Sequence, residues 1–105
     1  MLAMADAAAV FTALGDPTRR AVLERLRGGP RSVGDIVSVV PVSQSAVSQH
    51  LRVLREAGLV TDRREGTRRL YRVDLQGLTA LRSYLDGFWD TALESFQRYA
   101  EGEHR

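Results

Sequence analysis

The 105-residue chain has no cysteine and no lysine, and only two histidines, three prolines and one tryptophan. Without cysteine there is no disulfide, no thiolate metal ligand and no thiol redox switch. No apolar run approaches the roughly 18 residues of a membrane span, and no charged-then-apolar leader marks a secretory signal, so a cytoplasmic location is expected. The histidines are His50 and His104. With so few, and with no serine placed beside a base, no nucleophile–base pair can be assembled, so no catalytic residue, no cofactor and no enzyme are expected. All fifteen basic residues are arginine; codon bias is sufficient cause, and the preference carries no function by itself.

A chain of this length forms one domain, residues 1–105, and buries only roughly two-thirds of its unfolded surface. A dimer interface is therefore plausible from size alone. A hydrophobic content of 44% beside 27% charged residues is that of a globular protein rather than a disordered one. The net charge of +2 hides an asymmetry: residues 19–72 carry twelve Arg against five acids, whereas the flanks carry three Arg against eight acids. The positive charge is concentrated in the middle of the chain.

Ala7 to Leu14 has Val10, Phe11 and Leu14 on one side of a short helix. Asp16-Pro17 starts a second helix, with Asp16 as cap and Pro17 where a missing N–H costs nothing; Gly28-Gly29-Pro30 ends it. Ser32-Val33-Gly34-Asp35 has capping-box spacing and opens a third helix to Val40, which Pro41 breaks.

The most informative stretch is Ser43 to Val60. Ser43 can cap a helix in which Val47, Leu51 and Leu54 form a buried stripe, and Gly58 supplies a left-handed stop. Gln44, Ser45, Ser48, Gln49 and Arg52 project on the opposite face. These side chains are short enough, and rich enough in donors and acceptors, to let a helix enter a major groove and touch base edges. Preceded by the Ser32 to Val40 helix and a tight turn, this is a helix-turn-helix with its recognition helix.

Leu59 to Arg64 and Thr67 to Val73 then read as two strands around a Glu65-Gly66 turn. Such a hairpin is marginal in water alone and must lean on the helices through Val60, Tyr71 and Val73. Arg63, Arg64, Arg68 and Arg69 flank its tip. Alternation splits each pair between two faces, so only some can reach DNA, and the others are solvated or pair with Asp62 and Glu65. Asp74 caps a last helix whose apolar residues, from Leu78 and Leu81 through Leu85, Phe88, Trp89, Ala92, Leu93 and Phe96 to Tyr99, form a stripe broader than one small domain needs. The tail from Gly102 is expected to fray. The predicted fold is mainly α with a small β-hairpin, in the order α-α-α-α-β-β-α.

In this order of elements the chain resembles the ArsR/SmtB family of winged helix-turn-helix transcriptional regulators over nearly its whole length. The resemblance is carried by Leu14-Gly15-Asp16-Pro17-Thr18-Arg19-Arg20, by Ser43 to Val60, and by Gly66-Thr67-Arg68-Arg69-Leu70-Tyr71-Arg72-Val73. It implies a homodimer built on the first and last helices, here Val10, Phe11, Leu14, Leu85, Phe88, Trp89, Ala92 and Phe96, presenting two recognition helices to a near-palindromic operator. Leu85-Asp86-Gly87-Phe88-Trp89 looks most like the subgroup without a metal centre. Metal-sensing relatives carry Cys-Val-Cys in the third helix, where this chain has Ser32 and Gly34, neither a useful ligand for a thiophilic ion. Zinc-sensing relatives use histidines on the last helix; here that helix has Asp86, Asp90 and Glu94, whose commoner role is a solvated face, and no histidine before His104. No metal is expected.

The expected function is therefore a repressor that occludes a promoter on double-stranded DNA. Ser43, Gln44, Ser45, Ser48 and Gln49 are expected at or beside the bases, and Arg52 and the wing arginines at phosphates; His50 is expected at phosphate or groove, with a half-buried spacer as its other reading. Two alternatives stay open at this stage. One is a winged helix docking an acidic protein partner; the other is a sensor whose metal or organic effector lies between the C-terminal helices.

Overall fold

The computed structural model describes residues 6–103. Each helix begins where a side chain can satisfy its orphan N–H groups. Asp6 accepts from the Ala9 N–H at 3.1 Å to start α1, Ala7–Leu14. Asp16 accepts from the Arg19 N–H at 3.0 Å and Pro17 takes the first position of α2, Pro17–Glu24. Ser32 and Asp35 form a reciprocal capping box, at 3.1 and 3.0 Å, on α3, Val33–Val37. The Ser43 hydroxyl accepts from Ala46 N–H at 3.1 Å and opens α4, Gln44–Glu56.

The ends are as specific as the starts. At the end of α4 the Gly58 N–H donates to Arg55 O and the Leu59 N–H to Leu54 O, a Schellman arrangement that needs the φ of +79° found at Gly58. Helix α2 stops earlier than its glycines require, because Arg25, Leu26, Arg27 and Gly29 close i to i+3 turns instead of α turns. Two arginines of α2 finish α1: Arg19 Nε donates to Ala13 O at 2.7 Å and Arg20 Nη1 to Leu14 O at 2.6 Å. Helix α3 is shorter than expected and gives way to turns before Val40.

Strands β1, Val60–Glu65, and β2, Arg68–Val73, pair antiparallel with Val60 opposite Val73 and Glu65 opposite Arg68. The connecting residues are thus Gly66-Thr67, one place later than the expected Glu65-Gly66. Gly66 has φ +65° and Thr67 has negative φ, the sign pattern of a II′ turn, which matches the twist of the strands. The root of the hairpin is held by Arg31, whose N–H and C=O exchange hydrogen bonds with Tyr71 at 2.9 and 2.8 Å.

Val10, Val22, Leu26, Ile36, Val47, Leu51, Leu54, Leu59 and Val60 are fully buried, so the core lies where α1 to α4 meet the first residue of the wing. Val10, expected at a dimer interface, is a correction: it is 0% exposed within the protomer. Leu14 also turns inward, half-buried against the core. Phe11, one residue along from Val10, does face outward.

Helix α5, Leu75–Glu103, starts with Asp74 accepting from the Gln76 N–H at 3.0 Å. It remains helical through Gly102 and Glu103, which were expected to fray. His104 lies outside the described residues. The radius of gyration is 18.1 Å, against the roughly 13 Å of a compact chain this long, because α5 runs on past the core.

Candidate nucleic-acid interface

Burying Val47, Leu51 and Leu54 fixes the rotation of α4, and the remaining arc is determined by the helical repeat. Gln44, Ser45, Ser48, Gln49 and Arg52 are all exposed and line one shallow depression. Arg52 is lightly held by Glu56 at 3.5 Å. The expected base-reading residues are therefore together on one free face. Ser43 sits at its edge with its hydroxyl engaged as the cap, so of its two expected roles the structure displays the capping one.

His50 departs from the expectation. At roughly 100° per residue it falls on the far side of α4 from the middle of the polar face. It is half-buried, and its Nδ1 is buried with no hydrogen-bond partner among the described residues. A ring so placed faces the protein rather than a groove, a correction that the helical spacing itself explains.

The wing arginines sort by their partners. Arg63 Nη2 pairs with Glu65 at 2.8 Å on the same strand. Arg68 Nη2 reaches Asp35 on α3 at 3.4 Å, and Arg69 Nη1 reaches Asp62 at 2.6 Å. Asp62 also takes Arg55 at 3.4 Å, so one carboxylate, 12% exposed, ties the last turn of α4 to both strands of the wing. The Arg69 hydrogen bond, helped by Arg55 and opposed by partial burial, holds the Asp62 carboxyl below the usual carboxylate range. Arg64, exposed and opposite Arg69, has no carboxylate partner among the described residues. The pairs with Asp62 and Glu65 follow from strand alternation. The Arg68–Asp35 pair joins residues 33 apart in sequence, and no local pattern signals it.

On α5 the outward face is apolar. Leu85, Phe88, Trp89 and Phe96 are exposed, Trp89 to 66%, and Trp89, Ala92, Leu93 and Phe96 line a shallow groove. The α1 end of this surface is Phe11, whose ring meets Tyr84 edge-on with centroids 5.2 Å apart. Tyr84 lies beside the stripe, three residues after Leu81 and four before Phe88, and no residue pattern in the sequence marks it as the partner of Phe11. Among the described residues no three His, Cys, Asp or Glu side chains gather as a metal site, and no helix is long and apolar enough to cross a membrane. The Ser32 hydroxyl is occupied by its capping box, and Asp86 has a loose partner in Arg82 at 3.9 Å.

Comparison with known proteins agrees with this geometry. Residues 16–62 match the family model described as bacterial regulatory protein, arsR family. The chain is 53% identical over 93 residues to the HTH-type transcriptional regulator Rv2034 of Mycobacterium tuberculosis, covering 89% of this chain and 87% of that one. It is 42% identical over 57 residues to the transcriptional repressor SdpR of Bacillus subtilis, 54% of this chain and 63% of the relative. An ArsR-like transcriptional regulator from a Rhodococcus species superposes with a TM-score of 0.74 at 31% identity, covering 89% of this chain and 91% of the other. A homodimeric winged helix-turn-helix DNA-binding domain from Mycobacterium bovis superposes with a TM-score of 0.64 at 32% identity over 79% of this chain and 77% of the other. The fold is a winged helix-turn-helix, α1-α2-α3-α4-β1-β2-α5, and with this identity over most of both lengths, the chain belongs to the ArsR family of bacterial regulatory proteins.

Proposed function

We propose that the protein is a homodimeric transcriptional repressor, acting in the cytoplasm, whose 105 residues form one DNA-binding domain. The observation that carries this reading is the free polar face of α4, where Gln44, Ser45, Ser48, Gln49 and Arg52 stand exposed together in the most basic part of the chain. Gln49, Gln44, Ser45 and Ser48 read base edges, and Arg52 positions the helix on phosphate. Of the wing arginines, Arg64 is the first phosphate contact, because it has no carboxylate to give up; Arg63 and Arg68 can join it from loose exposed pairs, whereas Arg69 is held by the partly buried Asp62.

The dimer forms through Phe11, Leu85, Phe88, Trp89, Ala92 and Phe96. These side chains make an exposed apolar surface that a soluble monomer would not leave open, and the Mycobacterium bovis neighbour is homodimeric. Two-fold symmetry then sets two recognition helices against a near-palindromic site. A gel shift with DNA from the chain's own promoter, competed with random DNA, tests the reading. A specific shift lost in Gln49→Ala is expected; an unshifted promoter together with capture of an acidic protein would replace DNA by that partner.

A further inference from the structure

An open groove of about 350 Å³ lies where the end of α1, the outer side of α2, the last residue of β2 and the first turn of α5 meet. Its apolar lining is the half-buried Leu14, Leu23 and Val73 with Leu78, which is 36% exposed, and the exposed Arg20, Arg27 and Glu24 line its solvent side. We propose that this groove binds a small amphipathic organic acid, with the apolar body among the leucines and valine and the carboxylate at the arginines, and that its occupancy tunes DNA affinity.

The volume is at the lower end of the roughly 300–1,000 Å³ typical of small-molecule sites, which suits a ligand with one short apolar body. The head group follows from the solvent side. Two guanidiniums face one carboxylate, so the rim has an excess positive charge. Arg27 and Glu24 are 3.3 Å apart with side chains 78% and 62% exposed, a pair that gives up little when Arg27 turns to an incoming acid. Arg20 uses Nη1 on the Leu14 carbonyl, which leaves other guanidinium N–H groups for a bidentate partner. A cationic ligand meets repulsion at the same rim, and a neutral one leaves the arginines unused.

Four elements contribute walls, and they are those whose relative placement matters for the regulator. α2 packs on the recognition helix, Val73 is the root of the wing, and Leu78 follows the turn that joins α5 to Gly58. A ligand touching all four has a free energy that depends on their arrangement, so it biases that arrangement. This coupling rests on the regulator reading above; binding itself does not.

The test uses the intact chain and three probes with one tail: decanoate, decanol and decylamine. Calorimetry without DNA is expected to give one decanoate per protomer, with decanol about tenfold weaker and decylamine weaker still. Arg27→Gln, an exposed position, is expected to bring decanoate part of the way to the decanol level without changing decanol, the rest of the preference being supplied by Arg20; Leu78→Asn is expected to weaken both. Equal affinity for all three probes, no binding of decanoate, or a head-group preference unchanged in Arg27→Gln would overturn the site. A gel shift with and without saturating decanoate then reads the coupling, expected as a change of about fivefold or more in operator affinity. Decanoate binding with an unaltered shift would overturn the regulatory role. Decanoate binding by a chain that shifts no DNA would remove the repressor reading and leave the site, whereas a normal shift without decanoate binding would remove the site alone.

Discussion

The amide of Gly77 donates to the carbonyl of Gly58 at 2.7 Å, so the third residue of α5 is bonded to the residue that stops the recognition helix. A Cβ on Gly77 would stand 2.7 Å from that same oxygen, 2.9 Å from the Gly58 carbonyl carbon and 2.9 Å from Leu59 Cδ2. Two of those atoms are backbone and cannot rotate away. Gly77→Ala is therefore expected to cost about 1–3 kcal/mol in thermal or denaturant unfolding. Gly87→Ala, where nothing lies within 4 Å and the stripe of Leu85, Phe88, Trp89, Ala92 and Phe96 faces elsewhere, is expected to stabilise by roughly 0.5–1 kcal/mol through helix propensity. Equal effects of the two changes would show that the close approach is not maintained in solution.

Acid should loosen the protein through its caps and its wing clamp. Asp62 is held low first by the Arg69 hydrogen bond, Asp16 first by the Arg19 N–H, and Asp35 first by the Ser32 N–H. A carboxyl whose folded pKa is depressed stabilises above its unfolded value of about 4 and loses that contribution as pH falls through the folded pKa. Unfolding free energy is thus expected to be level near neutrality and to decline below roughly pH 4. Asp62→Asn should be less stable near neutrality and show a shallower acid limb, measured by urea titration across pH.

Base reading and phosphate positioning separate by mutation. Gln49→Ala and Ser45→Ala should each cost on the order of 1–3 kcal/mol on the operator while leaving random DNA nearly unaffected. Arg64→Ala should weaken both DNAs alike and lower the salt slope by roughly one. Arg63→Ala and Arg68→Ala should do less, because their partners are on the protein. A wing variant that altered only sequence preference would reverse these roles.

Trp89, exposed in the protomer, is expected to be covered by a second copy. Sedimentation should show a dimer for the parent chain and a monomer for Trp89→Asp, with the α1 to α4 core still folded by circular dichroism. A parent that sediments as a monomer at micromolar concentration would remove the two-half-site arrangement with it.

Zinc, nickel and cobalt should bind no better than to a generic protein surface, as followed by calorimetry. Tight stoichiometric uptake abolished by Asp90→Ala would instead give the α5 carboxylates a ligating role.

Much of the fold is legible in the sequence because its signals are local. The caps at Asp16, Ser32 and Ser43 act over three residues and the stop at Gly58 over three to five, so residue type and spacing are enough. What escapes is whatever depends on which neighbour lies beyond an arc. Val10 and Phe11 are adjacent, about 100° apart on α1, and one faces the protomer core while the other faces out. The turn moved by one residue because Gly66, rather than Glu65, takes the left-handed first position. The polar face of α4 was legible as a set, and His50 was separable from it by angle alone. The pairing of Arg68 with Asp35 was not legible, since it depends on how the wing folds back on α3.

From Arg82 to Tyr99 every residue of α5 is exposed, about five turns of helix that the rest of the protomer does not shelter. A helix in water without a wall to pack on is marginal. On the homodimer reading proposed above, the ordering of that arm obeys mass action: it is expected to be complete where two copies meet and to weaken on dilution. On that reading an unpaired copy is expected to offer proteases its unsheltered arm first, so limited proteolysis within residues 82–99 should speed up as the chain is diluted.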